Sequence, residues 1–139
     1  MSLAYTTVEG IMDDVRKVSV DSTASVTEAA ASILKGGKGA VVVLEKKRAV
    51  GILTERDILE KVITLRRDPA KTSVGDVMSA PLITIESDTS LSKAIAMMSK
   101  KGIRRLLITK KGKVEGIVTQ RDILLKLMEL FKYLLMYSG

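Results

Sequence analysis

The stretch GILTERDIL at residues 51–59 returns as GIVTQRDIL at residues 116–124, at an offset of 65 positions. With that offset held, residues 19–59 and 84–124 share 14 identities in 41 positions, and most mismatches exchange one apolar side chain for another. A long internal match of this kind indicates two copies of one structural unit.

Each copy predicts the element order β-α-β-β-α. A short apolar stretch leads to a helix whose apolar residues recur at helical spacing. The first of these helices carries a capping signal at Ser25 with Glu28, and the second carries one at Asp88 or Ser90. Glycines follow both stripes, so we expect the helices to end at Gly36-Gly37 and at Gly102.

Two β-rich runs follow in each copy, and the polar turns between them at residues 45–48 and 110–113 predict hairpins. A further helix begins at Thr54 or Thr119, and Pro69 is expected to end it in the first copy. The sequence therefore predicts an α/β (α+β) protein with one repeat at residues 1–69 and another at residues 70–139. A unit this small exposes an apolar sheet face, so we expect the two copies to cover one another around an approximate two-fold axis.

The composition excludes several kinds of chemistry. The 139 residues include no His and no Cys, which rules out a His-dependent triad, a thiol nucleophile and the usual zinc ligands. Catalysis would have to use carboxylates, lysines, hydroxyls or a bound metal ion. The enzyme alternative is one that uses carboxylates and Mg²⁺, and Asp13-Asp14 is the only adjacent acidic pair. Neighbouring side chains do not converge on one ion, so we expect no enzyme, no catalytic residue and no metal site.

Cellular location is predicted from what the sequence lacks. The absence of Cys fits the cytoplasm, and the first ten residues lack the basic and apolar regions of a signal peptide. No run of about 20 uncharged apolar residues is present, so we expect no transmembrane segment.

The net charge of +7 comes from one segment. Residues 89–114 contain eight basic residues and no acidic one, whereas the rest of the chain has 15 basic and 16 acidic residues. Such a segment suits phosphate groups on a small ligand or on nucleic acid. The nucleic-acid alternative is weakened because one Phe and three Tyr leave few surfaces on which bases could stack.

The repeated Thr-x-x-Asp motif, Thr54 with Asp57 and Thr119 with Asp122, has two interpretations. It can be a capping box, in which hydroxyl and carboxylate satisfy backbone N–H groups at a helix start. It can also bind a nucleoside, since a helix start favours anions and an aspartate there can accept hydrogen bonds from ribose hydroxyls.

The two-copy plan, the Asp76-Val77-Met78 lead-in and the repeated motif resemble a tandem pair of CBS domains, named for cystathionine β-synthase. The similarity covers about residues 8–130. It implies a non-catalytic regulatory unit, a Bateman module, that binds AMP, ADP, ATP or S-adenosylmethionine between its repeats and acts on a partner protein. Such pairs commonly form homodimers.

The resemblance also implies ligand contacts. The ribose carboxylates would be Asp57 and Asp122, with companion hydroxyls from Thr54 and Thr119. Phosphate contacts would come from Arg104, Arg105 and Lys38, with Arg56 and Arg121 as either phosphate contacts or outward-facing helix residues. The backbone at Ser19-Val20 and Thr84-Ile85 would read adenine. Because Gly39-Ala40 replaces the arginine pair in the first copy, we expect unequal sites, with Asp122 in the preferred one.

The C-terminal stretch from residue 123 to residue 137 is more apolar than a surface helix needs to be. Its only charges are Lys126, Glu129 and Lys132, which form a narrow polar stripe. One face can pack in the protein's own core. The rest of its apolar surface predicts a subunit or partner interface rather than a membrane-surface anchor, which usually has a broader basic face.

Overall fold

The computed structural model describes residues 6–80 and 82–137. Over those residues it contains two β-sheets and five α-helices, so the expected mixed α+β class is confirmed. The chain forms two compact units. The first unit is residues 14–83, and the second unit combines residues 6–13 with residues 84–137.

The first unit contains a three-stranded sheet in the order β2-β3-β4. Strand β2 is parallel to β3, and β3 is antiparallel to β4. In chain order its elements are β2 (Ser19–Asp21), α1 (Val26–Gly36), β3 (Ala40–Glu45), β4 (Arg48–Thr54), α2 (Glu55–Ile58), a π-helical turn (Leu59–Ile63) and α3 (Val74–Val77).

The second unit repeats this plan around a sheet in the order β1-β7-β6-β5. Strand β5 is parallel to β6, and β6 is antiparallel to β7. Its elements are β1 (Asp13–Asp14), which lies at the boundary between the two units, β5 (Thr84–Glu86), α4 (Leu91–Lys101), β6 (Arg105–Lys110), β7 (Lys113–Thr119) and α5 (Gln120–Tyr137).

The predicted helix boundaries at α1 and α4 are confirmed. The Ser25 hydroxyl accepts a hydrogen bond from the Glu28 backbone N–H at 3.1 Å. In α4 the cap is Ser90, whose Oγ accepts from the Lys93 N–H at 3.2 Å. Both helices end at a left-handed glycine, Gly37 with φ of 69° and Gly102 with φ of 63°.

Both predicted hairpins are present. Lys46 and Lys47 form the first turn and Lys111 and Gly112 the second, all four with positive φ. Two consecutive residues of this kind match the right-handed twist of the flanking strands.

Each unit has its own apolar core, which lies between its sheet and its helices. Three stripe residues of α1 are buried in the first core, and three of α4 are buried in the second. These residues are Val26, Ala29 and Ile33 in α1, and Leu91, Ala94 and Met98 in α4.

The expectation that Pro69 ends the helix after Thr54 is wrong, because the helical segment ends earlier. The π-helical turn stops at Ile63, and Arg66 adopts a left-handed conformation with φ of 57°. A residue with that φ cannot continue a right-handed helix. Pro69 instead begins a 3-10 turn capped by Asp68, whose carboxylate accepts from the Ala70 N–H at 2.9 Å.

The lead-in segments are exchanged between the sequence repeats. Val8 is fully buried in the second core, and its N–H donates to the Thr89 carbonyl at 2.9 Å. The segment after residue 69 belongs in the same way to the first unit, where Ile52 and Ser79 exchange two backbone hydrogen bonds of 3.0 and 2.8 Å. The boundaries 1–69 and 70–139 therefore describe the sequence repeats, whereas each compact unit takes its lead-in segment from the other repeat.

Helix α5 packs only its first turns against the second unit. Ile123 is buried, whereas nine large apolar residues further along are more than half exposed. They are Leu124, Leu125, Met128, Phe131, Tyr133, Leu134, Leu135, Met136 and Tyr137. None of the helices in the described ranges is both long and apolar enough to cross a membrane.

Candidate functional site

Four of the predicted ligand residues meet at one end of the second sheet. Thr119, the last residue of β7, pairs with Arg105, the first residue of β6. The Gln120 N–H at the start of α5 donates to the Arg104 carbonyl at 2.8 Å. Strand β5 runs parallel to β6 and begins at Thr84, so it starts at the same end. This end of the sheet is called the α5 edge below.

The capping-box interpretation is confirmed at the α5 edge. The Thr119 N–H donates to Asp122 Oδ2 at 2.8 Å, and the Asp122 N–H donates to Thr119 Oγ1 at 3.0 Å. Thr119 is buried and Asp122 is half-buried. These two bonds fix the carboxylate against the first turn of α5.

The electrostatics of the α5 edge favour an anion. Helix α5 has 18 residues, so aligned peptide dipoles place partial positive charge at its first turn. The guanidinium-bearing residues Arg104, which is exposed, and Arg105, which is half-buried, lie beside that turn. A carboxylate, a buried hydroxyl and two basic residues are thus brought to one place.

The first unit has the same layout with different side chains. Thr54 pairs with Ala40, and the Glu55 N–H donates to the Gly39 carbonyl at 3.2 Å. Lys38, one residue before Gly39, is the basic residue nearest in sequence. Here the helix start belongs to α2, which continues into the π-helical turn, so the helical segment is Glu55–Ile63 and is half as long as α5.

The Asp57 carboxylate is bound by four donors from its own chain. Its Oδ2 accepts from the Thr54 N–H at 2.9 Å and from the Thr54 hydroxyl at 3.0 Å. Its Oδ1 accepts from the Ser79 hydroxyl at 2.8 Å and lies 3.0 Å from Lys61 Nζ. The Asp57 side chain is 8% exposed. A carboxylate offers about four acceptor positions, so the capacity of Asp57 is used within the first unit.

These contacts set the ionisation of Asp57. Burial raises the pKa of its carboxyl, but the hydrogen bonds from Thr54, Lys61 and Ser79 together outweigh burial and hold the pKa below its usual value. Asp57 is therefore a carboxylate at neutral pH, with Lys61 as its counter-ion.

Sequence reasoning missed Lys61 and Ser79. Lys61 also donates to the Val77 carbonyl at 3.1 Å, which anchors its ammonium group between α2 and α3. The spacing of Asp57 and Lys61, four residues apart at a helix start, is a signal that could have been read. Ser79 lies 22 residues from Asp57, and no local pattern points to it.

The remaining predicted residues are divided between the two units. The Ile85 side chain is buried in the second core, and the half-buried Val20 side chain packs against the first. Arg56 pairs with Glu60 at 2.6 Å on an exposed face, and Arg121 is exposed at the start of α5. Ser19 starts β2 at the same end of the first sheet as Thr54, as Thr84 does in the second.

One residue of the acidic pair considered for a metal enzyme, Asp14, is bound by an arginine. Asp14 forms an ion pair with Arg16 at 2.7 Å, and hydrogen bonding to Arg16 lowers the pKa of Asp14 to about 2. Among residues 6–80 and 82–137, no group of three or more acidic residues is arranged to hold a metal ion.

The basic segment 89–114 is divided between the two ends of β6. Arg105 begins the strand, whereas Lys110 ends it and pairs with Glu9. At about 3.3 Å per residue these ends are about 17 Å apart. The arginine pair and the lysine-rich hairpin tip are therefore separate surfaces.

Comparison with known proteins identifies the family. The model of the CBS domain matches residues 8–64 and again residues 74–129. An uncharacterised protein from Methanopyrus kandleri is 41% identical over 104 residues, which cover 73% of this chain and 53% of that protein. The mitochondrial CBS domain-containing protein CBSX3 from Arabidopsis thaliana is 34% identical over 71% of this chain and 50% of its own length. The chain thus spans about half the length of these relatives.

Solved structures give the same result. An uncharacterised conserved protein from Pyrococcus horikoshii superposes with a TM-score of 0.79 at 28% identity, covering 91% of this chain and 94% of that one. A CBS-domain protein from Burkholderia ambifaria also has a TM-score of 0.79, at 26% identity, covering 89% and 95% of the two chains. With two matched domains over most of its length, this chain belongs to the CBS-domain family, whose members are generally regulatory modules.

Proposed function

We propose that the chain is a non-catalytic regulatory module that binds an adenine nucleotide, AMP, ADP or ATP, or a related adenosine derivative such as S-adenosylmethionine. The observation that supports this most is the α5 edge, where Asp122 and Thr119 lie beside Arg104 and Arg105 at the start of a long helix. Each part of a nucleotide has a matching group there.

The ribose is recognised by the Asp122 carboxylate, which can accept hydrogen bonds from two neighbouring hydroxyls. The phosphates are attracted by the positive start of α5 and by Arg104 or Arg105, since a guanidinium offers several planar donors to phosphate oxygens. Adenine would lie against the backbone where β5 begins, at Thr84. The second unit therefore supplies a contact for every part of the ligand.

The module would transmit nucleotide binding through a change in its interactions with other chains. The exposed apolar residues of α5 are suited to a homodimer contact, and a separate effector protein would receive the signal. A ligand shifts such an equilibrium only by binding its two states with different affinity. Because Asp122 and the apolar face are on the same helix, a bound nucleotide would act directly on α5.

Calorimetric titration of the purified chain with ATP, ADP, AMP and S-adenosylmethionine tests the proposal. We expect binding of at least one of them, weakened in Asp122→Asn, which keeps the shape and the cap but loses the charge. A lost hydrogen bond to a charged group costs about 1.5–3 kcal/mol, or about 10–150-fold in Kd. Glu115→Gln removes one exposed charge from β7 and is the matched control, with unchanged affinity.

The wild type should bind the 2′-deoxy form of the preferred nucleotide more weakly than the nucleotide itself. Asp122→Asn should bind the two forms with equal affinity, because this variant already lacks the ribose contact. Indifference of the wild type to every adenosine compound would contradict the proposal. Binding to nucleic acid that falls steeply with salt and ignores mononucleotides would support the nucleic-acid alternative instead.

A further inference from the structure

We infer that the two hairpin tips, residues 45–48 in the first unit and residues 110–113 in the second, bind acidic side chains of a partner protein. Each tip lies at the end of its sheet opposite to the Thr-x-x-Asp motif. Along β6 the two ends are about 17 Å apart, so a partner and a nucleotide would use different side chains. The inference rests on the proposed function, because the acidic partner would be the effector protein that the module regulates.

The backbone conformation of the tips is the first observation. Lys46 and Lys47 have φ of 51° and 65°, and Lys111 has φ of 53° beside Gly112. This left-handed region favours Gly, Asn or Asp, because a Cβ there crowds the following carbonyl oxygen. Three of the four turn positions are therefore lysines against the backbone preference, and this occurs in both units. Strained residues of this kind cluster at functional sites, which indicates a function that needs the lysine charge.

The charge of the tips is the second observation. Each tip carries three exposed basic residues. They are Lys46, Lys47 and Arg48 in the first unit, and Lys110, Lys111 and Lys113 in the second. Within the described ranges, the only ion pair at either tip joins Lys110 to Glu9. The other basic side chains of the tips are thus available to a partner that brings negative charge.

The surroundings of the tips favour an acidic protein over nucleic acid. Glu45 lies opposite Arg48 across the first hairpin, and Glu9 binds Lys110 beside the second. A nucleic-acid backbone has a negative charge at every phosphate, so these carboxylates would repel it. Neither tip contains an aromatic residue on which a base could stack. Lysines beside a carboxylate suit a protein surface of mixed charge, where opposite charges give specificity.

Fluorescence anisotropy with a labelled peptide of alternating Glu and Ser tests the inference, at low salt and without nucleotide. The Lys46→Gln/Lys47→Gln/Lys111→Gln variant removes three charges from the tips. We expect it to bind the peptide about 10-fold more weakly than the wild type, because each charge contributes one exposed ion pair.

The matched control removes the same number of charges from another surface. Lys93→Gln/Lys100→Gln/Lys101→Gln changes three exposed lysines of α4. Its net charge equals that of the tip variant, so a peptide attracted only by overall charge would leave both variants alike. We expect this control to bind the peptide within about twofold of the wild type.

A second tip variant separates charge from backbone strain. Lys46→Asn/Lys47→Gly/Lys111→Asn gives both turns the residues that their φ values favour. We expect it to bind the peptide as weakly as the Gln variant does. Because the strain is relieved, its thermal unfolding midpoint should be at least about 2 °C above that of the Gln variant.

Three results would overturn the inference. One is equal affinity of the wild type and the Gln tip variant for the peptide, and another is an Asn/Gly variant no more stable than the Gln variant. The third is tip-dependent binding of duplex DNA or phosphatidylserine vesicles that is tighter than that of the peptide. Because no nucleotide is present, each result leaves the nucleotide proposal standing, and calorimetry tests that proposal separately.

Discussion

Gly116→Ala tests the packing that holds the lead-in segment on the second unit. Gly116 lies in β7 within the repeated motif, and an added Cβ would lie 2.5 Å from Met12 Sδ and 2.9 Å from the Asp13 carbonyl oxygen. The thioether can swing away at small cost because its side chain is flexible. The carbonyl belongs to strand β1, which pairs with β7 in the same sheet, and it cannot move alone.

The magnitude follows from the size of that displacement. Ordinary contact begins at 3.4 Å, so the carbonyl must retreat by about 0.5 Å from 2.9 Å. Overpacking of this kind costs about 1–3 kcal/mol. Alanine also restricts the unfolded chain more than glycine does, which offsets about 0.4–1 kcal/mol. We expect a net loss of about 1–2 kcal/mol, or about 3–10 °C in Tm for a chain of this size.

Urea unfolding at 25 °C followed by circular dichroism measures this loss. Gly10→Ala is the matched control, because a Cβ there meets no atom within 4 Å and Gly10 does not have positive φ. Gly51→Ala, its counterpart in the first unit, should lose a similar amount, since its Cβ would lie 3.0 Å from the Ser79 carbonyl. A Gly116→Ala protein as stable as the wild type would refute the close approach of the lead-in segment to β7.

Three further predictions concern other parts of the chain. The pKa of Asp57 is lower in the folded protein than its unfolded value of about 3.9. The ionised carboxylate therefore stabilises the fold fully above that unfolded value, and this contribution is lost as the pH falls through the lower folded value. Urea titrations between pH 7 and pH 2 should show a loss in the free energy of unfolding that Asp57→Asn lacks. Ser90→Ala removes the α4 cap and should lower the free energy of unfolding, measured in urea, by about 1 kcal/mol. Asp88→Ala is the control and should change it by less than about 0.5 kcal/mol. Equal losses in the two variants would contradict Ser90 as the cap. We expect the wild type to sediment as a homodimer and Phe131→Glu and Leu134→Glu, which change the exposed face of α5, to sediment as monomers. Neither variant should lower the unfolding midpoint at low protein concentration. A monomeric wild type would contradict an interface on α5.

The elements predicted from the sequence were those fixed by residues close together in the chain. Ser25 and Glu28 are three residues apart, and a positive φ at Gly37 is a property of one residue, so local pattern was sufficient for α1. The internal repeat then extended each local prediction to the second copy. The prediction that Pro69 ends the helix failed because the helical segment stops at Ile63 and Arg66 adopts a left-handed φ, which has no sequence signature in a non-glycine residue.

Contacts between distant residues could not be predicted. The lead-in segment was grouped with the repeat that follows it, yet Val8 pairs with Thr89 on the other copy. The site was affected in the same way, since Thr54 and Asp57 were identified but their engagement by Ser79 was not. The sequence predicted unequal sites because Gly39-Ala40 replaces the arginine pair, but it did not predict that Ser79 and Lys61 contact the Asp57 carboxylate.

The measurement that most directly tests the nucleotide-sensor account is a calorimetric titration of the wild-type chain and Asp122→Asn with ATP and AMP, under identical buffer and salt. The account predicts saturable binding by the wild type and a Kd at least about 10-fold weaker for Asp122→Asn. No binding by the wild type, or equal affinity for the two proteins, would contradict it.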